Sequence, residues 1–357
     1  MRYRTLLLVV LAVAHSFTGH ASPKPLVGIY YFDGWADRTA ANFHVKTMPA
    51  DYPQREPLSG WYDDTPEAMH RQVLDARSAG TDFFLFDWYD VARCGDKDTT
   101  DKTLNTALAL FKSDRKKRGM KYALLYVNEG PFSVPQSNWD VACRKWVKED
   151  FTNPNYQRID NRPLFVVYND REMEKTWGGP PSAAIALARL RQTARDAGLP
   201  GLYLMVCATP GPTNGWNDLG HLAQAGYDAF TGYNYAGLAG TRKGSNPYER
   251  LVKGNVEIWD AFAADGRRPY VPVVTDGWDS RPWGETEFWY ERSPAEFESF
   301  VELALKWWRD HPKMHVTGER PFILIEAWNE LGEGSYIMPT RGDGDAYLKA
   351  LSRALRH

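Results

Sequence analysis

Two glutamates three residues apart, Glu330 and Glu333, stand in the run EAWNELGEGSYIMP at 326–339, with Gly332 and Gly334 beside the second acid and the rings of Trp328 and Tyr336 on either side. Hydrolysis of a glycosidic bond needs two carboxyl groups in different protonation states: one protonates the leaving oxygen, the other acts as base or nucleophile. A regular strand alternates its side chains, so it would not aim residues three apart at one point. The glycines can turn the backbone so that both acids face one pocket. The plainer alternative is a capping arrangement ahead of a short helix. A second acid pair is Glu129, in the run Asn128–Glu129, with Asp276 in TDGW.

Positioning such residues requires a scaffold. Eight apolar, β-branched or aromatic runs read as strands: VGIYY (27–31), DFFLFDW (82–88), KYALLYV (121–127), PLFVVYN (163–169), GLYLMVC (201–207), YDAFTGY (227–233), YVPVVTD (270–276) and FILIEAW (322–328). Helical periodicity lies between them. The stretch at 65–80 opens on Thr65 and Pro66 and stops at Gly80. Similar stretches lie at 182–198, at 293–310 behind Ser293, and at the C-terminus. Strands that do not alternate in polarity belong to a parallel sheet covered by helices. Eight strand–helix units predict an α/β fold, a (β/α)8 TIM barrel forming one domain over 22–357. The two long connections, 32–64 and 275–293, then fall on the C-terminal face, where barrel active sites sit.

On that fold the strand ends converge. They carry Tyr30 and Tyr31; Asp87, Trp88 and Tyr89; Asn128 and Glu129; Asn169; Tyr233, Asn234 and Tyr235; Asp276 and Trp278; and Trp328, Asn329 and Tyr336 beside the two glutamates. Acids, amides and rings suit neutral sugars, whose hydroxyls hydrogen-bond and whose faces stack; these residues are expected to bind substrate. Several have plainer roles: Asp87 and Asp276 as turn or cap residues, Asn169 and Asn234 as local turn formers, and one of the adjacent tyrosines as core. The chain is rich in rings, with 14 Trp, 19 Tyr and 16 Phe.

Other chemistries lack their motifs. There is no HExxH motif, so no metal is expected. No GxSxG elbow, Walker loop or GxGxxG follows a strand, so no nucleotide cofactor is expected. A formal charge of −2 excludes an electrostatic nucleic-acid binder.

The motif NELGEG resembles the Asn-Glu-x-x-Glu-Gly motif of glycoside hydrolase family 99, and AWNELGEGSYIMP is still more similar to the AWNEWGEG motif of family-99-like WbsX-type proteins. VGIYYFDGW, GTDFFLFDWY, NYQRIDNRPLFVVY and VVTDGWDSRPW resemble that group too, in the same order. The resemblance implies a (β/α)8 barrel and retaining, endo-acting hydrolysis of α-mannosides. It also implies roles: Glu330 as base on the sugar 2-hydroxyl, which attacks the anomeric carbon to give a 1,2-anhydro sugar, and Glu333 as acid and then base to water. Glu333 is therefore expected to have a raised pKa beside Trp328 and Tyr336, and Glu330 to stay ionised. The family proper has Trp-His between its glutamates, where this chain has Leu331–Gly332. Many barrel glycosidases take their acid from an Asn–Glu pair after strand four, whereas Asn128–Glu129 follows strand three. WbsX-type sequences are also associated with polysaccharide biosynthesis as glycosyltransferases, and a non-catalytic glycan-binding barrel is a third reading.

The first residues read as a secretory signal: basic MRYR, the short apolar run TLLLVVLAVA, and GHA before Ser22. Cleavage near Ala21 would give a periplasmic or secreted protein with no membrane span and a poly- or oligosaccharide substrate. In an oxidising compartment Cys94 and Cys143, both in connections after strands, are the expected disulfide, and Cys207 a buried thiol.

Overall fold

The computed structural model describes residues 23–356 except 40, 41, 43, 92–101, 118, 211–217, 238–240, 285, 286 and 319. The expected leader, 1–21, lies outside these residues.

Eight parallel strands appear in the expected order: β1 Leu26–Tyr31, β2 Phe83–Trp88, β3 Lys121–Tyr126, β4 Arg162–Val167, β5 Tyr203–Cys207, β6 Ala229–Thr231, β7 Val273–Thr275 and β8 Phe322–Glu326. They pair β6-β5-β4-β3-β2-β1-β8-β7. A bridge between Phe230 and Tyr270 closes the seam from β6 to β7, with the Phe230 amide donating to the Pro269 carbonyl and the Val271 amide to the Phe230 carbonyl, both at 2.9 Å. This is the (β/α)8 barrel expected from the sequence. Among the described residues, no helix is long and apolar enough to cross a membrane.

The helices bury one face each against the strands. Helix α1, Pro66–Ser78, is capped by Thr65 Oγ1, which accepts from the Ala68 amide at 3.2 Å. Next in the chain come α2 Thr106–Ser113, α3 Trp139–Trp146, α4 Asp170–Trp177, α5 Pro180–Asp196, α6 Leu219–Ala225, α7 Tyr248–Asp265, α8 Pro294–Asp310 and α9 Ala346–Ala354. Helix α5 starts two residues before the Ser182 expected to open it: Pro180 and Pro181 already have the fixed φ of a first turn. Ser293 caps α8, accepting from the Glu296 amide.

Adjacent residues on each strand point to opposite faces. Asp87 faces the barrel mouth, whereas Trp88 packs outward on Trp146 of α3, ring centroids 5.0 Å apart. Tyr30 turns inward, its hydroxyl donating to the Gly232 carbonyl at 2.7 Å. Tyr31 turns outward, to Asp63 and to Gln72 of α1, each at 2.9 Å.

Candidate active site

The chain leaves β8 into a tight hairpin, with Asn329–Glu330 paired antiparallel to Ser335–Tyr336. The glycines act in different ways. Gly334 has φ +72°, a left-handed conformation that a side chain strains, and an added Cβ would lie 2.7 Å from Asp279 Cβ. Gly332 lies under the indole of Trp283, where a Cβ would be driven into the ring. Arg55, buried in the first long loop, holds the hairpin from outside. Its guanidinium donates to the Leu331 carbonyl at 2.7 Å and forms an ion pair with Asp279, whose amide donates to the Glu333 carbonyl.

This turn brings Glu330 and Glu333 to one cavity of about 440 Å³. Asp87, Tyr89, Glu129, Tyr168 and Tyr233 also line it, with Phe32 and His44 from the first long loop and Trp283 from the seventh. Both long connections therefore reach the site, as the barrel reading required. A second lobe of about 520 Å³ shares Glu129, Tyr168 and Tyr233 with the first and adds Asn169, Arg171, Thr209, Asn234 and Tyr235. Together they form an elongated cleft with carboxylates and rings in one lobe and amides and hydroxyls in the other.

Glu330 and Asp87 are almost fully buried. The Tyr233 hydroxyl lies between them, 2.6 Å from Glu330 Oε1 and 3.0 Å from Asp87 Oδ2. Burial raises the Glu330 carboxyl to about 7, against the pull of the Tyr233 hydrogen bond. Burial, then the charge of Glu330, raises Asp87 well above the carboxylate range. The expectation for Glu330 is thus corrected: it has its hydroxyl donor, but desolvation outweighs that donor.

Several expected substrate contacts are structural. Asn329 clips the hairpin to β1: its Oδ1 accepts from the Phe32 amide and its Nδ2 donates to the Phe32 carbonyl, both at 2.8 Å. Trp328 is fully buried and donates to Gln72 Oε1 at 2.8 Å, so it does not stack on a sugar. Tyr31 and Trp88 lie on the outer strand face, and Tyr30 is buried beneath the edge of Tyr233. Tyr336 packs against the Arg292 guanidinium at 4.1 Å. Trp278 stacks on Phe288 outside both lobes.

Asp276 is fully buried, 3.0 Å from Arg292 and from the Ser335 hydroxyl. It lines neither lobe, so it does not pair with Glu129 across the cleft. Asn128 ties β3 to β4 through the Asn169 backbone, and Asn169 caps α4 while donating to Glu129 Oε1 at 3.1 Å. Asn169, Glu129 and Asn234 do line the cleft. Cys143 is a free, buried thiol, and Cys207 is another. The described residues thus lend no support to the expected Cys94–Cys143 bond: Cys143 sits on the inner face of α3, and Cys94 lies outside the described residues.

Tyr89, placed at the strand ends with Asp87 and Trp88, does line the cavity, two residues beyond the inward Asp87. Sequence reasoning missed Phe32, His44, Tyr168 and Trp283. It also missed Glu326, fully buried at the end of β8, with its carboxyl 3.0 Å from the Ser335 hydroxyl. Burial and the neighbouring charges of Glu333, Asp276 and Glu330 raise its pKa well above the usual range. Among the described residues, no three His, Cys, Asp or Glu side chains group as metal ligands.

The family described as Glycosyltransferase WbsX matches residues 134–351, more than half of the chain. The chain belongs to this family. The chain is similar to the uncharacterised protein WxcX of Xanthomonas campestris pv. campestris (strain B100), 25% identical over 338 residues covering 86% of this chain and 43% of that protein. The chain thus spans less than half the length of this curated relative. Among solved structures, a glycoside hydrolase-like protein superposes with a TM-score of 0.65 at 19% identity, covering 95% of this chain and 98% of the other. The family 99 endo-α-mannosidase of Bacteroides thetaiotaomicron, bound to bis-tris propane, gives a TM-score of 0.62 at 16% identity over 94% and 98%. At these identities the likeness is one of fold, and the fold is that of glycoside hydrolases.

Proposed function

We propose that this WbsX-family barrel is a glycoside hydrolase that cleaves a poly- or oligosaccharide with retention of configuration. Its catalytic residues are Glu330 and Glu333, and its place of action is outside the cytoplasm, after removal of the leader. The observation that carries this reading is the meeting of both glutamates at one ring-lined cleft in unlike surroundings. Glu330 is buried and bound to Tyr233, whereas Glu333 is partly open to the cavity.

A carboxylate with a pKa of about 7 is a stronger base than an ordinary glutamate and keeps an ionised fraction at neutral pH. In the proposed reaction Glu330 takes the proton of the sugar 2-hydroxyl as that oxygen attacks the anomeric carbon. The glycosidic bond breaks, and the leaving oxygen takes a proton from Glu333. Glu333, now a carboxylate, removes a proton from water attacking the anomeric carbon of the 1,2-anhydro sugar. The epoxide oxygen recovers its proton from Glu330. Two inversions at one carbon give net retention. An α-mannoside is the substrate that the family 99 resemblance favours.

The family's name supports glycosyl transfer as a second reading. The main lobe weighs against it: acids line it, Asp87, Glu129, Glu330 and Glu333, and no Lys or Arg stands among its described lining residues to hold the diphosphate of a nucleotide-sugar donor. The test is incubation of the purified protein with a polysaccharide panel, with NMR of the first-formed anomer. Retention is expected. An inverted product would overturn the mechanism, and transfer from a nucleotide sugar without hydrolysis would overturn the reaction class.

A further inference from the structure

The Tyr233 hydroxyl has one hydrogen but two carboxyl neighbours. Glu330 Oε1 lies at 2.6 Å and Asp87 Oδ2 at 3.0 Å; both carboxyls are almost fully buried and the tyrosine is half-buried above them. With both carboxyls ionised, one carboxylate oxygen would face a phenol lone pair with no proton between them. Such an unpaired contact is costly where the dielectric is low. The phenol keeps its own proton, since burial and both acids raise its pKa far above the ordinary value. One carboxyl must then be protonated. The distances point to which: about 2.5–2.7 Å is the length of an O–H···O⁻ bond to an ionised acceptor, and 3.0 Å lies at the long end of the range, where uncharged pairs fall.

We infer that Asp87 is a neutral carboxylic acid at neutral pH, donating to the Tyr233 oxygen and thereby committing the Tyr233 proton to Glu330. The chain of donation runs from Asp87 to Tyr233 to Glu330. Asp87 is then a positioning residue. It adds no negative charge beside the base, and it fixes the phenol in the one orientation that stabilises the Glu330 carboxylate.

The surroundings agree. Asp33, Tyr30, Tyr168 and Cys207 face Asp87, Tyr89 hydrogen-bonds its carboxyl without offsetting the desolvation, and Glu326 and Glu333 also face Tyr233. These groups are acids, phenols and a thiol; no cation stands among them to hold a second buried carboxylate. Glu330 is the ionised partner also because catalysis asks it to be a base, and that part rests on the function proposed above. The protonation of Asp87 does not.

Two readouts separate the parts. Infrared spectra of substrate-free protein near pH 7 detect the carbonyl stretch of protonated carboxyls. The wild-type protein carrying carbon-13 only at aspartate carboxyls should show an isotope-shifted band of this kind, and Asp87→Asn should lose one aspartate's share of it. No shifted band in the wild type, or an undiminished band in a folded Asp87→Asn, would overturn the assignment. The first outcome holds even if the variant fails to fold.

On a cleaved substrate, Asp87→Asn should keep the acidic limb of the kcat/KM profile near its wild-type position, because the amide donates to Tyr233 as the neutral acid does. Tyr233→Phe should move that limb up by about 1–2 pH units, the worth of one hydrogen bond to a charged group. A downward shift in Tyr233→Phe would also overturn the relay. Loss of the aspartate band in a protein that cleaves no glycan would uphold the proton assignment and remove only the catalytic reading.

Discussion

At the scale of single residues, Glu330 sets the pH response. A base must be ionised, and burial places this carboxyl at about 7. We therefore expect kcat/KM to fall as pH drops through about 7, and to be level on that limb above it. A profile flat from about pH 8 to about pH 5 would contradict the assignment. Asn329 makes a separate prediction. Its amide is spent on both backbone groups of Phe32. Asn329→Ala should cost roughly 1–3 kcal/mol in denaturant unfolding, as buried backbone groups lose their partners. Unchanged stability with weakened glycan binding would return Asn329 to the substrate. The residue type was legible here and the role was not: an asparagine beside a catalytic glutamate reads as a sugar ligand, and only the fold shows Phe32 within its reach.

Among elements, the hairpin after β8 is where sequence and structure agree most closely. The glycines of NELGEG were expected to turn the chain so that two acids three residues apart meet, and Gly334 supplies that turn. The other glycine serves Trp283, a contact across about fifty residues that no local pattern announces. Gly332→Ala should displace the indole or the hairpin. The expected effects are a destabilisation of about 1–3 kcal/mol and a kcat lowered about 100-fold, because small misplacements of catalytic groups are expensive. Wild-type kcat in this variant would contradict the packing described.

Strand ends explain most of the misassigned rings. Apolar runs mark where a barrel strand lies but leave its facing undetermined, since both faces are buried. Expecting Trp88 to face the cleft beside Asp87, or Tyr31 alongside Tyr30, is a one-residue error that moves a side chain from the mouth to the helix layer. The long loops were recognisable as active-site loops by length, yet nothing in their composition singled out Phe32, His44 or Trp283.

For the molecule as a whole, buried acids govern stability between weakly acid and alkaline pH. Burial raises Asp63, Asp276 and Glu330 to about 7, and it raises Asp33, Asp87 and Glu326 well above the ordinary carboxylate range. Their unfolded values lie near 4. Over that window the native state binds more protons than the unfolded chain, so stability falls as pH rises. Acids lowered by ion pairs, such as Asp114 and Asp279, act the other way only below about pH 4. The melting temperature should therefore be higher near pH 5 than near pH 8, by at least about 2 °C. Calorimetry showing a steady rise from pH 5 to pH 8 would mean that these acids are not buried as described.

The central claim is that Glu330 and Glu333 together break a glycosidic bond. The most direct measurement takes a glycan that the wild-type protein cleaves and follows the release of new reducing ends by wild type, Glu330→Gln and Glu333→Gln, with calorimetric binding of the same glycan to each. The account predicts that each variant binds the glycan with similar affinity and cleaves it about 10²–10⁴-fold more slowly. Near-wild-type release by either variant would contradict it and place the chemistry on other residues of the cleft.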